Sequence, residues 1–132
     1  MADHGTFHWN ELMTRDVEAA KRFYQQTLGW TFEAMPMEGQ AGDATYWIIK
    51  SGGNMVGGVF DITGHPGLEN IPEHWFAYIA VDDIDARCEK AREDGGTVER
   101  EPYDIPNVGR IAIIRQPGGG AIGWMTPPSM PA

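Results

Sequence analysis

The chain has 132 residues, 42% hydrophobic and 22% charged, with a formal net charge of −9 at pH 7. That length sets an expectation of one domain, 1–132, with enough chain to bury a core, and the acidic balance argues against nucleic acid and anionic membrane surfaces as partners. No apolar run nears the roughly 18 residues of a membrane span, no basic stretch followed by an apolar one opens the N-terminus, and the single cysteine, Cys88, rules out an internal disulfide, so a cytoplasmic protein is expected.

In chain order, "FHWNELMTRDVEAAKRFYQQTLGW" (Phe7–Trp30) reads as a strand, a cap at Asp16, a helix and a stop at Gly29. Asp16 is a good acceptor for the free amides of a first helical turn, and Glu18 adds negative charge near the positive end of the helix dipole. Val17, Ala20, Phe23, Tyr24 and Leu28 fall near helical spacing and form an apolar stripe. Gly29 suits a left-handed C-cap. Thr31–Ala34 supplies a second strand, and "YWIIKSGGNMVGGVF" (Tyr46–Phe60) a hairpin turning near Gly52-Gly53. Because these glycines join strand to strand, they lack the geometry of a phosphate loop. "DITGHPGLENIPEH" (Asp61–His74) is polar, rich in Gly and Pro, and reads as a linker.

The same series then returns. Asp83 follows Asp16 at an offset of 67, and each Asp stands 13 residues before a glycine, Asp16–Gly29 and Asp83–Gly96. Ile84, Cys88 and Ala91 form a thinner helical stripe, in which Cys88 reads as a small core residue. Thr97–Arg100 gives another strand, and "IAIIRQPGGGAIGWM" (Ile111–Met125) repeats the earlier hairpin with its turn at Pro117–Gly120. Two repeats are therefore expected, about 6–63 and about 73–126, each reading strand, helix, then two or three strands.

These three stretches, "WNELMTRDVEAAKRFYQQTLGW", "YIAVDDIDARCEKAREDGGTV" and "IAIIRQPGGGAIGWM", resemble the vicinal oxygen chelate superfamily, which includes glyoxalase I, extradiol dioxygenases and bleomycin-resistance proteins. The resemblance implies an α+β fold of two tandem βαβββ modules whose mixed sheets form an open, barrel-like cleft. It also implies a homodimer. In metal-dependent members, ligands come from the first and last strand of each module. Carried onto this chain, those positions hold Trp9, Gly57, Phe76 and Gly123, none of which offers a metal-binding side chain. No metal and no cofactor is therefore expected. The four histidines, His4, His8, His65 and His74, form no ligand pattern, although His74 and Glu11 could together hold a metal loosely.

Strand alternation puts Trp9 and Glu11 on one face of the first strand and His74, Phe76 and Tyr78 on one face of the fifth. If those faces line the cleft that the resemblance implies, aromatic rings opposite glycines leave a slot for a flat or cationic small molecule. Candidate ligand-binding residues are thus Trp9, Glu11, Tyr46, His74, Phe76 and Tyr78. The alternative is that Trp9 and Phe76 only fill core. Glu11 among rings would be desolvated, its pKa raised, and could act as a general base. Trp47, Trp75 and Trp124 read as packing groups, and Arg110 as the partner of a carboxylate of the chain itself. The function expected is metal-independent small-molecule binding, with a lyase- or oxygenase-type enzyme as the alternative.

Overall fold

A computed structural model describes residues 3–36, 45–105 and 108–128. Its elements in order are β1 (Phe7–Thr14), α1 (Val17–Leu28), β2 (Thr31–Pro36), β3 (Thr45–Ser51), β4 (Asn54–Asp61), β5 (His74–Ala80), α2 (Ile84–Glu93), β6 (Thr97–Ile105), β7 (Gly109–Arg115) and β8 (Ala121–Thr126). The order is βαβββ twice, an α+β fold. The chain condenses into two compact units, one of Trp9–Phe76 and one in which the residues up to His8 join those from Ala77 onward.

The local signals act as the sequence suggests. Asp16 accepts a hydrogen bond from the Ala19 amide at 3.0 Å, and Asp83 one from the Ala86 amide at 3.2 Å; each cap contributes about 1 kcal/mol. Gly29 ends α1 in the left-handed conformation at φ 71°, with its amide bonded back to the Gln25 carbonyl. After α2 it is Gly95, at φ 91°, that makes the left-handed step. Both hairpins turn where expected. The second strands of the repeats run longer than the sequence suggests, to Pro36 and Ile105, because β3 and β7 offer them ladder partners along their length.

In the Trp9–Phe76 unit the strand order is β2-β3-β4-β1, with β1 and β4 parallel and the other pairs antiparallel. One face carries Leu12, Ile49 and Val59 beneath Val17 of α1, with Ala20, Tyr24, Trp30, Phe32 and Trp47 packed around them. Lys21 of α1 lies 3.3 Å from the centre of the Trp47 ring. The helix buries a narrower arc than its composition implies. Val17, Ala20 and Tyr24 face the sheet, whereas Phe23 and Leu28 are exposed. Phe23 is turned about 100° from Tyr24 around the helix axis, and Leu28 closes the last turn.

In the other unit the order is β5-β8-β7-β6, and the core is Val81, Ile84, Cys88, Ala112 and Ile114, with Trp124 against it. Cys88 is buried and its thiol is pushed above its ordinary pKa by desolvation, as fits a core residue. Arg110 pairs with Asp85 and Asp104 of the same unit. The segment before β1 also belongs here: Gly5 and Ala80 amides exchange bonds with the Ala80 and Thr6 carbonyls. Among the described residues no helix is long and apolar enough to cross a membrane.

Candidate functional site

The face of the first sheet turned away from α1 carries an unusual polar group. Glu11, in the middle of β1, is only 9% exposed. The parallel register sets it opposite Gly58 of β4. Tyr46 of β3 lies across that glycine: a Cβ at position 58 would stand 1.9 Å from the Tyr46 hydroxyl. The missing side chain therefore lets the tyrosine reach over β4 to Glu11, donating from its hydroxyl to Oε2 at 3.1 Å. Trp9, two residues before Glu11 and on the same face, donates from Nε1 to the same hydroxyl oxygen at 2.8 Å.

The direction of this chain of bonds follows from donor chemistry. An indole N–H only donates, so the Tyr46 oxygen accepts from Trp9 and the tyrosine proton goes to Glu11. Glu11 Oε1 has no hydrogen-bond partner among the described residues, and no fully buried side-chain oxygen there is left unpaired. Oε1 is thus the oxygen that keeps access to solvent. Desolvation pushes the Glu11 pKa up to about 7, against the smaller downward pull of the Tyr46 bond. A carboxyl group poised there can bind, give or take a proton near neutrality.

The structure brings Trp9, Glu11 and Tyr46 together. His74 and Phe76 stand edge to face at 6.1 Å, and His74 Nδ1 is held 2.7 Å from the Pro72 carbonyl. Tyr78 is buried in the other unit, in register with Gly123. Sequence reading identified Tyr46 as a candidate but not its link to Glu11, and it set the last-strand position one residue early. Gly57 lies on the α1 side, where a Cβ would meet the Asn10 carbonyl oxygen at 2.6 Å and Ile49 at 3.6 Å. Gly58 is the residue beside Glu11, as Gly123 is beside Tyr78. Two adjacent glycines inside a strand were the available signal, since they mark close approach of other groups.

Among the described residues, the donors at the superfamily's first-strand and last-strand positions do not fit a metal. At the first-strand and last-strand positions stand Trp9, whose N–H is already given to Tyr46, Phe76, and glycines with no side chain. Among the described residues no three His, Cys, Asp or Glu side chains converge. The histidines are dispersed: His4 accepts from the Asp82 amide, and His65 packs on Phe60.

Residues 6–123 match the family model described as Glyoxalase/Bleomycin resistance protein/Dioxygenase superfamily. The chain belongs to this superfamily. It is 39% identical over 123 residues to "Putative glyoxylase CFP32" of Mycobacterium tuberculosis, a match covering 93% of this chain and 44% of that protein. It is 32% identical over 123 residues to the anthracycline biosynthesis protein DnrV of Streptomyces peucetius, covering 86% of this chain and 44% of DnrV. The chain thus spans under half the length of these superfamily relatives. Among solved structures it is similar to methylmalonyl-CoA epimerase of Streptomyces coelicolor, with a TM-score of 0.69, 18% identity, and coverage of 98% of this chain and 99% of that one. At that identity the likeness speaks for the fold alone.

Proposed function

We propose that this chain binds a flat, partly aromatic small molecule carrying a carbonyl or cationic group on the Trp9–Glu11–Tyr46 face, without a resident metal, as a cytoplasmic homodimer with no nucleic-acid partner. The carrying observation is Glu11: a buried carboxyl with Oε2 engaged by Tyr46 and Oε1 left to meet a ligand. Protonated, Oε1 donates to a carbonyl; ionised, it attracts a cation. Trp9 and Tyr46 supply ring surface beside it. Candidate residues His74, Phe76 and Tyr78 extend this proposal to the matching strand of the second repeat. The relatives named for anthracycline biosynthesis favour a fused aromatic ligand.

A second reading is favoured by the Glu11 pKa of about 7. A carboxylate at that pKa can take a proton from a carbon next to a carbonyl, leaving the electron pair as an enolate, and return it to the same or a neighbouring atom. Relatives named as a glyoxylase and as a lactoylglutathione lyase accord with an enzyme of this kind.

Titration of 1-hydroxyanthraquinone by tryptophan fluorescence and calorimetry, with elemental analysis of the purified protein, tests the reading. Saturable binding that Trp9→Ala weakens, with metal well below one ion per chain, supports it. Stoichiometric metal sinks the metal-free clause, and binding indifferent to Trp9→Ala sinks the assigned face. Loss of turnover with retained binding in Glu11→Gln would establish the second reading.

A further inference from the structure

The segment Asp61–His74 reads in the sequence as a linker, but it is built as a strap of three successive turns. The His65 amide bonds to the Ile62 carbonyl at 3.2 Å, the Leu68 amide to the His65 carbonyl at 3.1 Å, and the Ile71 amide to the Leu68 carbonyl at 3.3 Å. Gly64 and Gly67, at φ 75° and 86°, take the third position of the first two turns, and Pro66 takes the second position of the middle one. Every third residue is thereby turned inward. Ile62 is buried and His65, Leu68 and Ile71 are half-buried, while the residues between them are exposed. The strap is fastened to the end of β1. The Arg15 guanidinium donates to the Leu68 and Glu69 carbonyls at 2.8 and 3.0 Å, and the Thr14 hydroxyl donates to Glu73 Oε1 at 2.6 Å.

This strap sets His65 on the Glu11 face of the sheet. Glu11 is level with Gly58 and Met13 with Phe60. Phe60 therefore points to the same side as Glu11, about 7 Å further along β4 than Gly58. The His65 ring rests on Phe60, with ring centres 4.8 Å apart. Among the described residues no hydrogen bond or ion pair engages its ring nitrogens, and an imidazole always carries at least one N–H to donate. We propose that His65 is the second polar anchor of the ligand site, donating that N–H to an oxygen on the ligand edge opposite the one that meets Glu11. The inference rests on the proposed ligand site and narrows its ligand to a quinone-type ring system. A quinone has the required form, since its two carbonyls leave opposite edges of one planar ring. Glu11 takes one carbonyl, His65 takes the other, and the Phe60 ring adds apolar surface beside them. Because turns and anchors already hold the strap, little conformational freedom is lost when the ligand arrives.

Calorimetric titration of two matched ligands tests this. 1-Hydroxyanthraquinone carries both carbonyls, whereas 1-hydroxyxanthone keeps the hydroxyl, one carbonyl and the flat three-ring frame but has a ring oxygen in place of the second carbonyl. The wild type should prefer the quinone. His65→Phe keeps a ring against Phe60 and removes only the nitrogens. It should weaken quinone binding by about 5- to 10-fold, the effect of one lost hydrogen bond, and leave xanthone binding within about twofold. Thermal melting checks the fold of the variant, and Trp9→Ala is titrated alongside. Quinone binding that Trp9→Ala weakens but His65→Phe does not overturns this inference and leaves the proposed site standing. Equal losses for both ligands in His65→Phe also overturn it, because they assign His65 to packing. No saturable binding of either ligand to the wild type overturns the proposed site and this inference together.

Discussion

Gly58 and Tyr46 occupy the same space above β4: the position of the missing Cβ lies 1.9 Å from the tyrosine hydroxyl and 2.2 Å from its ring carbon Cζ. The glycine is a condition for the Tyr46–Glu11 bond rather than a flexible joint. Gly58→Ala should displace the buried tyrosine, cost about 1–3 kcal/mol as an overpacked core does, and break the bond to Glu11. Chemical denaturation and the hydroxyl-proton signal of Tyr46 check this; an unchanged signal and stability would refute it.

Glu11 makes folding pH-dependent with a sign that can be worked out. Its pKa rises from 4.5 unfolded to about 7 folded. Below pH 4.5 both states hold the proton and the group costs nothing. Between the two values only the folded state holds it, so stability falls as pH rises, by up to about 3 kcal/mol in all. Above pH 7 the penalty is full and constant. Glu11→Gln removes it: the variant should match the wild type near pH 4 and exceed it by up to that amount at pH 8, measured by urea unfolding at both values. A variant less stable at pH 8 would contradict this account.

Tyr46→Phe deletes the hydroxyl that favours the carboxylate form of Glu11. The Glu11 pKa should then climb beyond about 7, and any activity that needs the carboxylate should shift to more alkaline pH. Carbon-13 NMR titration of the Glu11 carboxyl reads the pKa directly. A value at or below that of the wild type would show that the bond does not act on the charge.

Cys88 is buried in the α2 core with its thiol pKa raised by desolvation. A thiolate is the reactive form, so a disulfide reagent at neutral pH should label the native protein only as fast as it opens, and the denatured protein at once. Rapid labelling of the native protein would place the thiol outside the core.

Much of this protein is determined locally, and so was legible in the sequence. Asp16 and Asp83 cap helices because an acceptor needs only an amide three residues on. Gly29 stops one because only glycine takes the left-handed step without cost. Hairpins turn at Gly52-Gly53 and Pro117–Gly120 for similar short-range reasons. The duplication follows, since the same local signals recur at an offset of 67, from Asp16 to Asp83. Packing decided the rest. Sequence spacing gave Phe23 and Leu28 to the buried stripe, but the sheet covers only the arc through Val17, Ala20 and Tyr24. The β1–β4 register chose Gly58 over Gly57 as the neighbour of Glu11, and a shift of one residue exchanges the faces of a strand. Tyr46 and Glu11 stand 35 residues apart in the chain, and no local rule connects them. Their meeting depends on two ladders aligning and on a missing Cβ between them, conditions that exist only once the sheet is assembled.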